Sequence, residues 1–121
     1  MISFTHAGVI YVAVLTGCFD GDTCTVRFVD FPPPVAEQRL RFDDFDTPER
    51  KRPKCASEKH LAAKARHVTQ TYMQGDVVLE IVDKREKYGR MVVGAPDLKT
   101  RLISKGLAKP SPDGKRGNWC L

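Results

Sequence analysis

One long stretch of this chain has helical spacing with no internal breaker, and β-prone segments flank it on both sides. From Ser57, a residue suited to capping a helix start, to Gln74 there is neither Pro nor Gly, and Gly75 follows as a stop. Leu61, Ala65, Val68 and Tyr72 recur at three- and four-residue intervals, which lays an apolar stripe along one face. Ahead of it, residues 8–19 are rich in Val, Ile, Tyr and Leu and read as a strand. Phe19-Asp20-Gly21-Asp22 supplies a turn, and residues 23–29 return as the second arm of a hairpin. Phe31-Pro32-Pro33-Pro34 reads as a loop, because proline lacks the amide donor a sheet needs. Gln38 to Phe45 reads as a third strand ending at Asp46-Thr47-Pro48. Beyond the helix, residues 76–82 and 88–94 read as the fourth and fifth strands. Residues 97–107 read as a short helix with Leu98, Leu102 and Ile103 inward, and the Gly- and Pro-rich residues 110–121 as an irregular tail. That order predicts a mainly β, α+β fold: a five-stranded OB-type barrel with a helix between strands 3 and 4 and a short helix after strand 5.

The 121 residues, 41% apolar and 29% charged, predict a single domain over 1–121 with one core. No repeat or linker interrupts it, and no apolar run reaches the length of a bilayer span, so no membrane partner is expected. The apolar run from Gly8 to Cys18 has the look of a signal peptide, but no Lys or Arg precedes it, and it reads better as a strand. Twenty Lys and Arg against fifteen Asp and Glu leave a net charge of +5. Such an excess favours polyanionic partners without naming one. Cys18, Cys24, Cys55 and Cys120 lack metal-finger spacing. Two readings stay open: free thiols, or a Cys55–Cys120 bridge that ties down the tail and implies an oxidising compartment.

Charged residues of a kind suited to phosphate chemistry fall in three blocks. Asp20 and Asp22 flank Gly21 in one turn, and Asp46 and Glu49 flank Thr47-Pro48 where a strand becomes a loop. Each block alone is an ordinary turn; joined, they would offer three or four oxygens to a hard divalent cation. Arg41 and Arg90 carry guanidiniums, which donate paired hydrogen bonds to phosphoryl oxygens. Strict alternation over the five residues from Arg41 to Asp46 puts their side chains on opposite faces. Both reach one site only if the strand bends or ends before Asp46. The basic run Arg50-Lys51-Arg52-Pro53-Lys54 reads either as a solvated loop or as a guide for a polyanion.

Taken together, Asp20-Gly21-Asp22-Thr23, the stretch from Arg41 to Glu49, and Lys87-Tyr88-Gly89-Arg90 resemble the signature of the staphylococcal nuclease family. Gly106-Leu107-Ala108-Lys109 fits it near the end, and the likeness spans about residues 8–109. The resemblance implies a calcium-dependent nuclease on an OB barrel, cutting DNA and RNA with little regard for sequence and leaving 3′-phosphates. By position it implies that Asp22 and Asp46 ligate the metal through carboxylates and Thr47 through its carbonyl. Glu49 matches the base or water-positioning residue, and Arg41 and Arg90 the arginines that hold the scissile phosphate. Lys87 and Tyr88 match contacts to a terminal phosphate, and Asp20 stands behind the ligands as support. The chain departs from the family after Lys109, where a longer helical segment is usual. Pro110 and Ser111 stand near the place of a nucleotide-stacking tyrosine, and Asp43 and Asp44 replace apolar residues. Trp119 is either a substitute stacking face or simple packing. The alternative is a catalytically inactive OB module that binds nucleic acid or peptide, in which several of these acids and arginines would be missing. Nothing in the sequence calls for more than a monomer.

Overall fold

The computed structural model describes residues 1–83, 85–112 and 116–120. Its elements are β1 (Ile2–His6), β2 (Val9–Asp20), β3 (Thr23–Phe28), α1 (Pro33–Ala36), β4 (Glu37–Phe42), β5 (Phe45–Asp46), α2 (Ala56–Met73), β6 (Val77–Asp83), β7 (Met91–Gly94), α3 (Pro96–Ser104) and β8 (Lys109–Pro110). Six strands close a barrel in the order β1-β2-β3-β4-β7-β6, and the two-residue strands β5 and β8 pair beside it. The barrel is mixed: β1 runs parallel to β6 and β4 parallel to β7, with every other pair antiparallel.

Alternation explains the strands. Ile2 and Phe4, then Cys24, Val26 and Phe28, then Leu40 and Phe42, then Val77, Leu79 and Ile81 point inward at every second position. The barrel has six strands where five were expected, because residues 2–6 form a strand of their own. Ala7 and Gly8 both take positive φ, 50° and 78°, and fold that segment back onto β2 as a hairpin. The expected Pro-rich loop contains a one-turn helix, α1, started by a proline at its first turn.

The long helix is rotated from its expected face. Glu58, Ala62, Ala65, Thr69 and Met73 are the buried set, with Leu61, Val68 and Tyr72 only partly covered. The small side chain of Ala65 lets α2 approach the β2–β3 turn closely. A Cβ placed on Gly21 would lie 2.9 Å from the Ala65 Cβ and 2.9 Å from the Thr47 methyl. Cys55, not Ser57, stands in the cap position before Ala56, and the Ser57 hydroxyl instead donates to the Trp119 carbonyl at 3.0 Å. Helix α3 is shorter than expected and buries Leu98 and Leu102. Gly106 at φ +71° ends it, with the Leu107 amide bonding back to the Leu102 carbonyl at 2.8 Å.

The tail after Lys109 is tied down where described; residues 113–115 and 121 of it lie outside the described residues. Trp119 is buried, and Cys120 is bonded to Cys55. A second disulfide joins Cys18 to Cys24 across β2 and β3, a pairing the sequence did not suggest. Among the described residues no helix is long and apolar enough to cross a membrane.

Candidate active site

The strand carrying Arg41 ends before it reaches Asp46. Asp43 and Asp44 form a turn with Asp44 at φ +73°, anchored by Lys99 at 2.6 Å and by the Ser111 amide on the Asp44 carbonyl at 3.0 Å. This break removes the alternation conflict and lets Asp46 resume on β5 facing the same end of the barrel as Arg41. The departure at Asp44 is thus a turn residue, and its ion pair is with Lys99.

Asp22, in the β2–β3 turn, is 2% exposed, so its charge depends on neighbouring donors. One carboxylate oxygen accepts from the Thr23 hydroxyl at 2.9 Å, the other from the Thr47 amide at 3.2 Å and lies 3.0 Å from Arg41 Nη1. The same Nη1 donates to the carbonyls of Phe42 and Phe45 at 3.2 and 3.0 Å. Arg41 therefore joins both acidic blocks. Removing one partner of such a buried pair costs roughly 3–5 kcal/mol, since it strands the other charge.

Asp46 is held differently. Its Oδ2 accepts from the Gly117 amide at 2.7 Å and from the Trp119 indole at 3.3 Å, both contributed by the tail. Its Oδ1 is buried and accepts no hydrogen bond among the described residues. The nearest cation to it among them is Arg116 Nη1 at 3.9 Å, too far for a hydrogen bond, and a buried carboxylate oxygen so loosely satisfied favours a closer cation. Among the described residues, no three His, Cys, Asp or Glu side chains gather as a ready-made metal cluster. A hard cation would rest here on the carboxylates of Asp22 and Asp46, backbone oxygen and water, a donor set suited to calcium or magnesium.

The loop after Asp46 is braced by acids that accept from its backbone. Glu58, buried on α2, takes the amides of Glu49 at 3.2 Å and Lys54 at 2.7 Å, while Asp20 takes the Arg50 amide at 3.0 Å. Burial pushes the Asp20 carboxyl above the usual carboxylate range, with the Arg50 amide opposing the shift. The basic run is therefore fixed at both ends, and Arg50 lies over the Phe19 ring at 4.8 Å. Glu49 itself is partly exposed, 3.6 Å from Arg116 Nη2.

Arg90 follows a tight turn at residues 86–90, where Gly89 takes φ +79°. Its Nε and Nη2 grip the two oxygens of Glu86 at 3.1 and 3.0 Å, and the Arg90 hydrogen bonds hold the Glu86 carboxyl down at about 2. Lys87 and Arg90 both lie over the exposed Tyr88 ring, at 5.1 and 5.4 Å. Arg39, Arg41, Lys87, Tyr88, Arg90 and Arg116 line one open cavity of about 520 Å³, which gives it a strongly cationic wall.

The sequence-predicted residues thus meet at one end of the barrel. Asp22 touches Arg41 and Thr47, Arg41 and Arg90 share the cavity with Lys87 and Tyr88, and Arg116 links that cavity to Asp46 and Glu49. Asp20 stands behind them on the Arg50 amide. Sequence reasoning missed Glu58, Gly117 and Arg116. Glu58 carried a usable signal, since an acid four residues after Lys54 at a helix start suits capping of exposed amides. Arg116 and Gly117 carried none.

No curated protein matches the chain. The family model described as staphylococcal nuclease homologue matches residues 39–115, more than half of the sequence. That span holds Arg41, Asp46, Glu49, Lys87, Tyr88 and Arg90, while Asp22 reaches them from outside it through Arg41 and Thr47. The chain belongs to the staphylococcal nuclease homologue family.

Proposed function

We propose that this protein is a calcium-dependent nuclease that hydrolyses phosphodiester bonds of DNA and RNA with little sequence specificity and leaves 3′-phosphates. The observation that carries the reading is the buried Oδ1 of Asp46, which accepts no hydrogen bond among the described residues and lies 3.9 Å from Arg116, at the end of the barrel that also holds Asp22, Glu49, Arg41 and Arg90. Asp22 and Asp46 would hold the cation through their carboxylates, with the Thr47 carbonyl beside them. Bound there, a divalent cation supplies positive charge to the phosphoryl oxygens and makes its water more acidic.

The chain's own residues do the rest. Arg41 and Arg90 line the cavity and would bind the non-bridging oxygens of the scissile phosphate, whose negative charge grows in the transition state. Glu49 would take a proton from the attacking water as its oxygen bonds to phosphorus and the bond to the 5′-oxygen breaks, the 5′-oxygen gaining a proton from solvent to leave as a hydroxyl. Lys87 and Tyr88, exposed at the rim, would receive the neighbouring phosphate. Binding through phosphates and not base edges accounts for tolerance of sequence.

The test is digestion of single-stranded DNA and RNA with calcium, with a chelator, and with Glu49→Gln. Calcium-stimulated cleavage of both substrates, abolished by chelation and reduced about 10²- to 10³-fold by the substitution, is expected. Intact substrates after incubation of the wild type with calcium at mildly alkaline pH would refute the reading.

A further inference from the structure

We propose that Arg116 supplies a third guanidinium to the phosphate chain of the substrate, and that the Cys55–Cys120 bridge holds it in place for that purpose. The inference rests on the nuclease reading of the same cavity and adds to it a segment beyond the family-matched span.

The backbone around Arg116 is fixed from several sides. Gly117 and Trp119 donate to Asp46, the Trp119 carbonyl accepts from Ser57, and Cys120 is bonded to Cys55. Lys109 donates to the Asn118 carbonyl and lies 4.5 Å over the Trp119 ring. A side chain at Gly117 would meet Lys109 Cδ at 3.0 Å, so the tail lies close against the body of the protein there. Against this fixed backbone the Arg116 side chain is half exposed and lines the cavity with Arg41 and Arg90.

Its electrostatic partners set it apart from those two arginines. Arg41 and Arg90 lie 3.0 Å from their carboxylates, whereas Arg116 stands 3.9 Å from Asp46 and 3.6 Å from Glu49. Arg116 thus offsets the charge of two acids without closing a tight pair with either. A phosphate, which accepts paired hydrogen bonds from one guanidinium, is the stronger partner and draws it into the cavity at little cost. Joining the tail to the start of α2, 65 residues away in sequence, keeps this cation at the site before substrate arrives.

The experiment measures binding of a single-stranded DNA oligonucleotide in chelator, where nothing turns over, across a range of salt. Cleavage with calcium is measured in parallel. Arg116→Ala should weaken binding about 10- to 100-fold. It should also lower the slope of log affinity against log salt by roughly 0.7, the loss of one phosphate contact, and raise KM. Arg116→Lys should restore the slope but only part of the affinity, because an ammonium cannot donate in a fork. The double variant Cys55→Ser, Cys120→Ser should show the same binding loss, with little further effect of adding Arg116→Ala. Emission from Trp119, the sole tryptophan, reports whether the tail stays docked in each variant. Unchanged affinity and slope in Arg116→Ala, or a rise in kcat from uncovering Asp46 and Glu49, would overturn the proposal. Should the wild type cleave while Arg116→Ala matches it throughout, only this inference fails. Should the wild type bind through Arg116 yet cleave nothing, only the nuclease reading fails.

Discussion

The two ends of the barrel are built on opposite terms. At the end away from the acids, Phe28 stacks on Phe31 at 4.8 Å and tilts against Phe4 at 5.0 Å, and Tyr11 meets Phe31 edge-on at 5.9 Å. Those rings hold one another by area and shape, which is non-directional and tolerant of small shifts. At the other end Asp20, Asp22, Asp46, Thr47 and Glu58 are all buried, and their places are set by individual donors from β4, the 46–54 loop and the tail. The aromatic end stabilises the barrel. The acidic end draws on that stability to keep charges where unaided burial would forbid them.

Truncating the aromatic end should give the largest effect on folding. Phe28→Ala is expected to cost about 3–5 kcal/mol in denaturant unfolding while kcat of the remaining folded protein stays within about twofold. A parallel fall in kcat would mean the two ends are coupled and would break the contrast. Glu49→Gln is its mirror image, with activity lost and the unfolding midpoint held.

Gly21→Ala probes the seam where α2 meets the acidic turn. Its methyl would press on Ala65 and Thr47 at 2.9 Å, so a loss of about 1–3 kcal/mol is expected, together with reduced activity as Thr47 is displaced. Combining it with Ala65→Gly should recover part of the stability; no recovery would place the strain on the Thr47 side alone.

The smallest effect belongs to the Arg90–Glu86 fork. A carboxyl lowered from 4.5 to about 2 contributes stability that is full above its ordinary value, fades as pH falls below 4.5 and is gone once pH has passed through about 2. Between pH 5 and 8 the fork should therefore be constant, and carboxyl NMR should find Glu86 titrating well below its neighbours. An ordinary value for Glu86 would mean that Arg90 is not held this way in solution.

How legible these regions were follows from how local their causes are. The β2–β3 hairpin, the long helix and the acidic and basic blocks rest on patterns a few residues long, and the chain announces them. Strand β1 was missed because its significance lies in pairing with β6, where Ile2 sits opposite Val77. Of the expected inward face of α2, Ala65 is buried and Leu61, Val68 and Tyr72 pack partly against the core; the face turns further toward Thr69, whose hydroxyl donates to the Gly21 carbonyl, a polar contact that hydrophobic periodicity does not register. The brace on Asp46 comes from residues 71 and 73 positions away, a distance at which no periodicity speaks. The family likeness placed the site residues together; it offered nothing about the tail that closes over them.

The parallel pairing of β1 with β6 carries a cost in time. During synthesis the first strand leaves the ribosome with one edge bare, and the partner for it, Val77 to Glu80, is not yet made. Closure of so long a loop must precede the reward of the final pairing, which makes this a slow step in folding. Until then the nascent hairpin offers an open sheet margin to any other extended chain nearby, so conditions that delay elongation past residue 80 are those in which this protein would first aggregate.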